Sequence, residues 1–131
     1  MAGTFKFELV SPERVLVSED ASEVIVPGTD GQFTVLPGHA PLISSLRPGT
    51  LIIRLNSGER RVFVRGGIAE VEPQSLTILA QHLIDLDGDG RAAAVEAEIK
   101  SAEATLAAPK DDQERMAAED ILAQLRSTAG R

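Results

Sequence analysis

Between residues 4 and 86, apolar and polar positions follow one another with a period of two. Phe5, Phe7 and Leu9 alternate with Lys6 and Glu8, Val24 and Val26 bracket Ile25, and Phe33 and Val35 flank Thr34. Further along, Leu51, Ile53 and Leu55 alternate with Ile52 and Arg54, and Val62 and Val64 oppose Phe63 and Arg65. Leu76, Ile78 and Ala80 interleave with Thr77 and Leu79. This period sends successive side chains to opposite faces of a strand. Turn signals separate the runs: Ser11-Pro12, Asp30-Gly31, Pro48-Gly49, Asn56-Ser57-Gly58, Gly66-Gly67 and Pro73-Gln74. Many short runs at such spacing predict an all-β sandwich of about ten short strands. Runs apolar on both faces, such as residues 51–55, imply two sheets packed together.

The period changes after residue 86. Val95, Ile99, Ala102 and Leu106 fall at helical spacing in a segment rich in alanine, glutamate and lysine. Pro109 ends that helix, and Asp111 with Glu114 three residues on has the form of a capping box that opens a second one. Met116, Ile121, Leu122 and Leu125 supply the second helix with a thin apolar stripe. A short linker between two helices predicts an antiparallel hairpin. The expected organisation is therefore a β-sandwich domain over residues 1–86 and a C-terminal helical hairpin over residues 87–131. The hairpin's stripes are narrow and alanine-heavy, so it is expected to be marginally stable, able to dock or to peel away.

The chain has 131 residues, room for one domain with an appendage but not for two full cores. Its four Phe, with no Trp or Tyr, leave no aromatic platform for base stacking, and a net charge of −7 repels a polyanion. No nucleic-acid partner is expected. The absence of cysteine excludes a disulfide framework, a thiolate nucleophile and a cysteine metal site. No stretch approaches the roughly 20 apolar residues that span a bilayer, and the start of the chain lacks a basic segment followed by an apolar run. A soluble protein that stays where it is made is expected.

Candidate chemistry is sparse. His39 lies in Pro37-Gly38-His39-Ala40-Pro41, but Ser44 and Ser45 sit in no nucleophile elbow and no acid is spaced to orient the ring. The expected role of His39 is to hold a rigid turn. Asp85, Asp87, Asp89 and, at the twelfth position, Glu96 fit a calcium loop, whose hard cation requires several oxygens and a sharp turn at Gly90. Against that reading, Leu76–Ile84 reads as strand where a calcium loop follows a helix, and Ala92 stands where an aliphatic anchor is usual. A calcium-responsive binding module remains the alternative function. Arg54, Arg60, Arg61 and Arg65 cluster around one hairpin, as an anionic partner surface or as charged strand edges that discourage aggregation. No catalytic constellation emerges, and neither an enzyme nor a cofactor is expected.

The run from Pro27 to Leu42, Pro-Gly-Thr-Asp-Gly-Gln-Phe-Thr-Val-Leu-Pro-Gly-His-Ala-Pro-Leu, together with Gly66-Gly67-Ile68-Ala69-Glu70-Val71, resembles signatures of the epsilon subunit of the bacterial F-type ATP synthase. The resemblance covers nearly the whole chain in the expected order. It implies a non-catalytic rotor-stalk protein that binds the gamma subunit and the ring of c subunits, and so couples proton transport to ATP synthesis. It implies a peripheral location on the cytoplasmic face of the bacterial inner membrane, with the membrane reached only through the complex. Asp30, Gln32, His39, Pro41 and Leu42 are the subunit-interface residues it suggests. Relatives often carry an acidic residue where Gln32 stands and glycine where Thr34 stands, so the polar details of a c-ring contact differ here. The family's hairpin, when extended along gamma toward the alpha/beta catalytic head, blocks rotation in the hydrolysis direction. Many bacterial members also contact ATP through Ile/Leu-Asp-x-x-Arg-Ala. Here Asp87 and Arg91 are one residue further apart, with two glycines between them, which rotates one relative to the other by ~100° on a helix and argues against that contact.

Overall fold

A computed structural model describes residues 3–88 and 90–129, the last three without their side chains. The chain divides into two compact units, residues 1–86 and 87–131. The first contains seven strands: β1 (Phe5–Val10), β2 (Val15–Gly28), β3 (Gly31–Val35), β4 (Leu42–Ser45), β5 (Gly49–Leu55), β6 (Gly58–Glu72) and β7 (Ser75–Asp85). The second contains α1 (Arg91–Ala107) and α2 (Asp112–Ala129).

The sandwich is as expected, but it is made from fewer and longer strands than the turn signals suggest. β2 and β6 run for 14 and 15 residues, and each changes partners along its length. β2 pairs with β1 over its first half and with β5 and β3 over its second. β6 pairs with β5 from Gly58 to Val64, with β4 from Ser45↔Ile68 to Leu42↔Val71, and with β7 from Val62 to Glu72. The order β1-β7-β6-β5-β2-β3, with β1 also bonded to β2, rolls the sheet into two facing layers. Only β3 and β4 hang from a single partner.

A strand that serves both layers has to change which of its alternate side chains point inward. On β2, Val17 and Ala21 are buried at odd positions and Val24 and Val26 at even ones, and the register slips between Ala21 and Glu23. One extra residue at such a bulge reverses every side chain beyond it. On β6, Val62 and Val64 belong to the core before Gly66-Gly67, and Ala69 and Val71 after it. Sequence reading takes Gly66-Gly67 as a turn between strands. The two glycines instead lie inside β6, at φ 75° and 136°, and change the inward set without ending the strand. A Cβ on Gly67 would lie 1.9 Å from the carbonyl oxygen of Leu79, so β7 leaves no room for any other residue.

The core between the layers is entirely apolar. Phe7, Leu9, Val24, Val26, Leu51 and Ile53 are fully enclosed, as are Leu76 and Ile78. No polar or charged side chain among the described residues is buried with them.

In the second unit α1 begins at Gly90, which is left-handed and offers no side-chain cap. α2 begins with Asp111 accepting the backbone N–H of Glu114 at 2.7 Å. The Glu114 carboxylate accepts from the N–H of Lys110 at 3.1 Å, one residue earlier than a standard capping box. Val95 and Ala102 on α1 and Ala118, Leu122 and Leu125 on α2 are buried, and an Arg126–Glu103 ion pair at 3.2 Å ties the helices. Met116, expected in the apolar stripe, is 62% exposed; Ala118, Leu122 and Leu125, spaced four and three apart, are the inward set.

Gly67→Ala combines a forbidden backbone angle with a backbone clash and should destabilise the protein by about 3 kcal/mol or more. Gly31→Ala, at φ 134° with open space around it, should cost only about 1–2 kcal/mol. Urea unfolding of both variants tests the contrast; equal losses would mean that the β7 contact is not what reserves position 67 for glycine. Asp111→Ala should remove about 1 kcal/mol from the helical unit, read by circular dichroism on heating.

Candidate interaction surface

β2 and β3 form a hairpin closed by the Gly28–Gly31 pair, which leaves Thr29 and Asp30 at the tip. Asp30, Gly31 and Gln32 are exposed, and Phe33 is half-buried against the core. The chain then turns at Leu36-Pro37-Gly38-His39, where the His39 N–H donates to the Leu36 carbonyl at 3.1 Å. Gly38 N–H donates to the Pro73 carbonyl at 2.8 Å and anchors the loop to the β6–β7 connection. The His39 Nδ1 lies 2.7 Å from the Ala40 carbonyl, which can only accept, so the ring donates. Its ring also leans on Phe33, centroid to centroid 6.3 Å. His39 thus shapes the turn that delivers Pro41 and Leu42 to β4.

β4 forms a strand pair only with β6, and β3 only with β2; an open groove of about 600 Å3 lies between them, its end tied by the Thr29 N–H donating to the Ser45 carbonyl at 2.9 Å. Asp30, Gln32 and Phe33 form one wall, and Leu42 and Ile43 the other. Ile43 is 69% exposed, the largest value among the exposed bulky apolar residues described. A second hollow of about 400 Å3, lined by Pro41, Leu42, Ile43, Glu70 and Glu72, adjoins it. Of the expected interface residues, the fold gathers Asp30, Gln32 and Leu42 at one groove and Pro41 beside it. His39 lines neither and acts by positioning. Phe33, Leu42 and Ile43 give the groove an apolar part and Thr29, Asp30, Gln32, Ser44 and Ser45 a polar one, a mixture that suits docking of another protein.

The acidic residues of the calcium-loop pattern fall on both sides of the boundary between the two units. Asp85 ends β7, where its carboxylate meets the Arg60 guanidinium at 2.9 Å. Asp87 lies exposed in the following turn, Asp89 lies outside the described residues, and Glu96 is exposed on α1. Among the described residues no three His, Asp or Glu side chains gather as a metal site. The helix starts only after left-handed Gly90, so Asp87 and Arg91 do not share a helical face. The arginine cluster is partly compensated: Arg54 sits between Glu23 and Glu59, at 3.2 and 3.7 Å, across neighbouring strands. No described helix is long and apolar enough to cross a membrane.

Residues 4–85 match the family model for the ATP synthase delta/epsilon chain β-sandwich domain. Over its full span the chain is similar to bacterial proteins. It is 42% identical to the ATP synthase epsilon chain of Mesorhizobium japonicum, over 99% of this chain and 96% of that one. With that of Parvibaculum lavamentivorans it shares 42% identity, over 96% of each chain. The chain belongs to the ATP synthase epsilon-chain family. Its fold also resembles a chain in the Euglena gracilis mitochondrial ATP synthase, with a TM-score of 0.72 at 20% identity, over 97% of this chain and 80% of that one. A chain in the central stalk/c-ring structure from Tetrahymena thermophila gives a TM-score of 0.62 at 16% identity, over 98% and 96% of the two chains.

Replacing His39 with alanine removes one side-chain hydrogen bond on an accessible loop. A loss of about 1 kcal/mol is expected in urea unfolding, with the fold retained. A collapse of the fold would mean that the Gly38–Pro73 anchor does not hold the turn without the ring.

Proposed function

We propose that this chain is a non-catalytic subunit of the rotor stalk of a proton-translocating ATP synthase. Its sandwich binds the gamma subunit and rests on the c-ring, helping to couple proton transport to ATP synthesis. The observation that carries this reading is the 42% identity to an epsilon chain over 99% of the sequence. The similar Euglena and Tetrahymena chains come from assemblies described as OSCP/F1/c-ring and central stalk/c-ring. The groove rimmed by Asp30, Gln32, Leu42 and Ile43 is the proposed c-ring contact, with Pro41 beside it and His39 setting the loop. A stiff sandwich with an apolar core suits a part that transmits torque, because close-packed interiors pass strain on rather than absorb it. The protein would sit peripherally on the cytoplasmic face of the bacterial inner membrane and act without a cofactor.

Residues 1–86 are proposed as the stalk-binding domain and residues 87–131 as a mobile regulatory one. The hairpin's inward set is small, three of the five buried residues among its described side chains being larger than alanine, so little apolar area holds it together. Extended along gamma, it would meet the alpha/beta head transiently and restrain ATP hydrolysis.

Purified gamma subunit should retain the full chain in a pulldown, and should still retain a chain cut after residue 90. Failure of both would overturn the stalk assignment. Reassembled enzyme that carries the shortened chain should hydrolyse ATP faster than enzyme with the full one; equal rates would exclude inhibition through the hairpin.

A further inference from the structure

β7 is held on both sides for only part of its length. It pairs with β1 from Ser75 to Leu79, and from Ala80 to Asp85 β6 is its only strand partner among the described residues. A strand margin with one neighbour frays from its end, because each residue that peels away gives up a single ladder of hydrogen bonds and regains backbone freedom. This margin is also where the chain leaves the sandwich for the helical unit. A load on that unit therefore reaches the sandwich here first.

The end of the margin is closed by a backbone bond and an ion pair. The Leu86 N–H donates to the Arg61 carbonyl at 3.0 Å, which carries the ladder one residue past the strand. The Arg60 guanidinium donates to the Asp85 carboxylate at 2.9 Å. Arg60 stands opposite Ile53, and Asp85 opposite Val62, both members of the core. Opposed residues share a face of the sheet, so the pair lies on the inward side of its strands. The two side chains are 27% and 30% exposed, at the rim of the apolar core and not on open surface. Partial removal from water strengthens a charged hydrogen bond and makes either partner costly to leave alone. Beyond Leu86 the support changes. Asp87 is exposed in a turn, and α1 starts at Arg91 after a left-handed Gly90 that supplies no side-chain cap.

Resting on the reading of residues 87–131 as a mobile unit, we propose that Arg60 and Asp85 latch the end of β7 and so set where the moving part of the chain begins, at Asp87. With the latch closed, the tether of the helical unit is short. With it open, β7 peels back toward Leu79 and residues 80–86 join the tether. Tether length governs how often a linked module meets its site, so the latch acts on the reach of the helical unit and not on its surface. Arg60 and Asp85 are positioning residues in this device.

The test is amide hydrogen exchange and backbone order parameters on the free full chain, for the wild type, Arg60→Gln, Asp85→Asn and the double variant. Each single variant should speed exchange of the Leu86 amide, and of the bonded amides between Ala80 and Asp85, by about threefold to fivefold, with Ser75–Leu79 unchanged. The double variant should be no worse than either single one, since the same pair is lost in all three. Order parameters should fall from Asp87 onward in the wild type and already before Asp85 in the variants. Unchanged exchange, or single losses that add up in the double variant, would overturn the latch and leave the stalk reading intact. So would faster exchange spread evenly over the sandwich, which would make the pair a support of the whole fold. Order parameters that stay high from Leu86 to Arg91 in the wild type would sink the mobile-unit reading together with the latch.

Discussion

The sandwich depends on two long strands that each belong to both of its layers. Alternation gives a strand one inward set, and a strand that passes from one layer to the other would present its polar set to the second core unless that set is exchanged on the way. β2 makes the exchange with a bulge between Ala21 and Glu23. β6 makes it at Gly66-Gly67, where two consecutive positive φ angles are open only to residues without a Cβ. β7, which pairs with β6 from Val62 to Glu72, switches in step: Leu76, Ile78 and Ala80 face the core on one side of the crossing, and Leu83 packs against it on the other.

Rolling the sheet this way leaves few free edges. β1, β2, β5, β6 and β7 close on one another, which removes most sites for edge-to-edge association. β3 and β4 stay open at one end of the sandwich and are short, at five and four residues. The Pro37-Gly38-His39 turn holds them apart through bonds to Leu36, Ala40 and Pro73. What is left open is therefore local: one groove between two short edges and the margin of β7 beyond Leu79. A component that has to engage a partner while keeping its shape is well served by such an arrangement.

The helical unit contrasts with this rigidity. Among its described side chains the inward set is two alanines, a valine and two leucines, and its first helix starts without a side-chain cap. Only α2 is well begun, through Asp111 and the reach of Glu114 to the backbone of Lys110. Short helices gain most of their stability from packing rather than propensity, and a thin stripe limits that gain. The sequence between the units points the same way, since glycine at positions 88 and 90 does not favour a continuous helix from Asp87 to Arg91.

Local patterns along the chain were enough to establish an all-β region followed by two helices, the Asn56-Ser57 hairpin, the Asp111 cap and the turn role of His39. Each of these is set by neighbours in sequence: alternation, a two-residue turn, a side chain reaching three residues on, a ring bonding the next carbonyl. The family was legible for the same reason, because its signatures lie in two glycine-rich runs whose backbone demands are local. The number of strands was not legible. Gly66-Gly67 marks a turn just as well as a crossing, and only the presence of β7 beneath it decides between them. Nor could sequence show that Met116 points outward, since Ala118 fits the same period and the facing helix selects between them. The Arg60–Asp85 pair was hidden in the same way. Along the chain Arg60 falls in an arginine cluster and Asp85 in a calcium-loop pattern. Only the pairing of β6 with β7 brings the two, 25 positions apart, within 2.9 Å of each other.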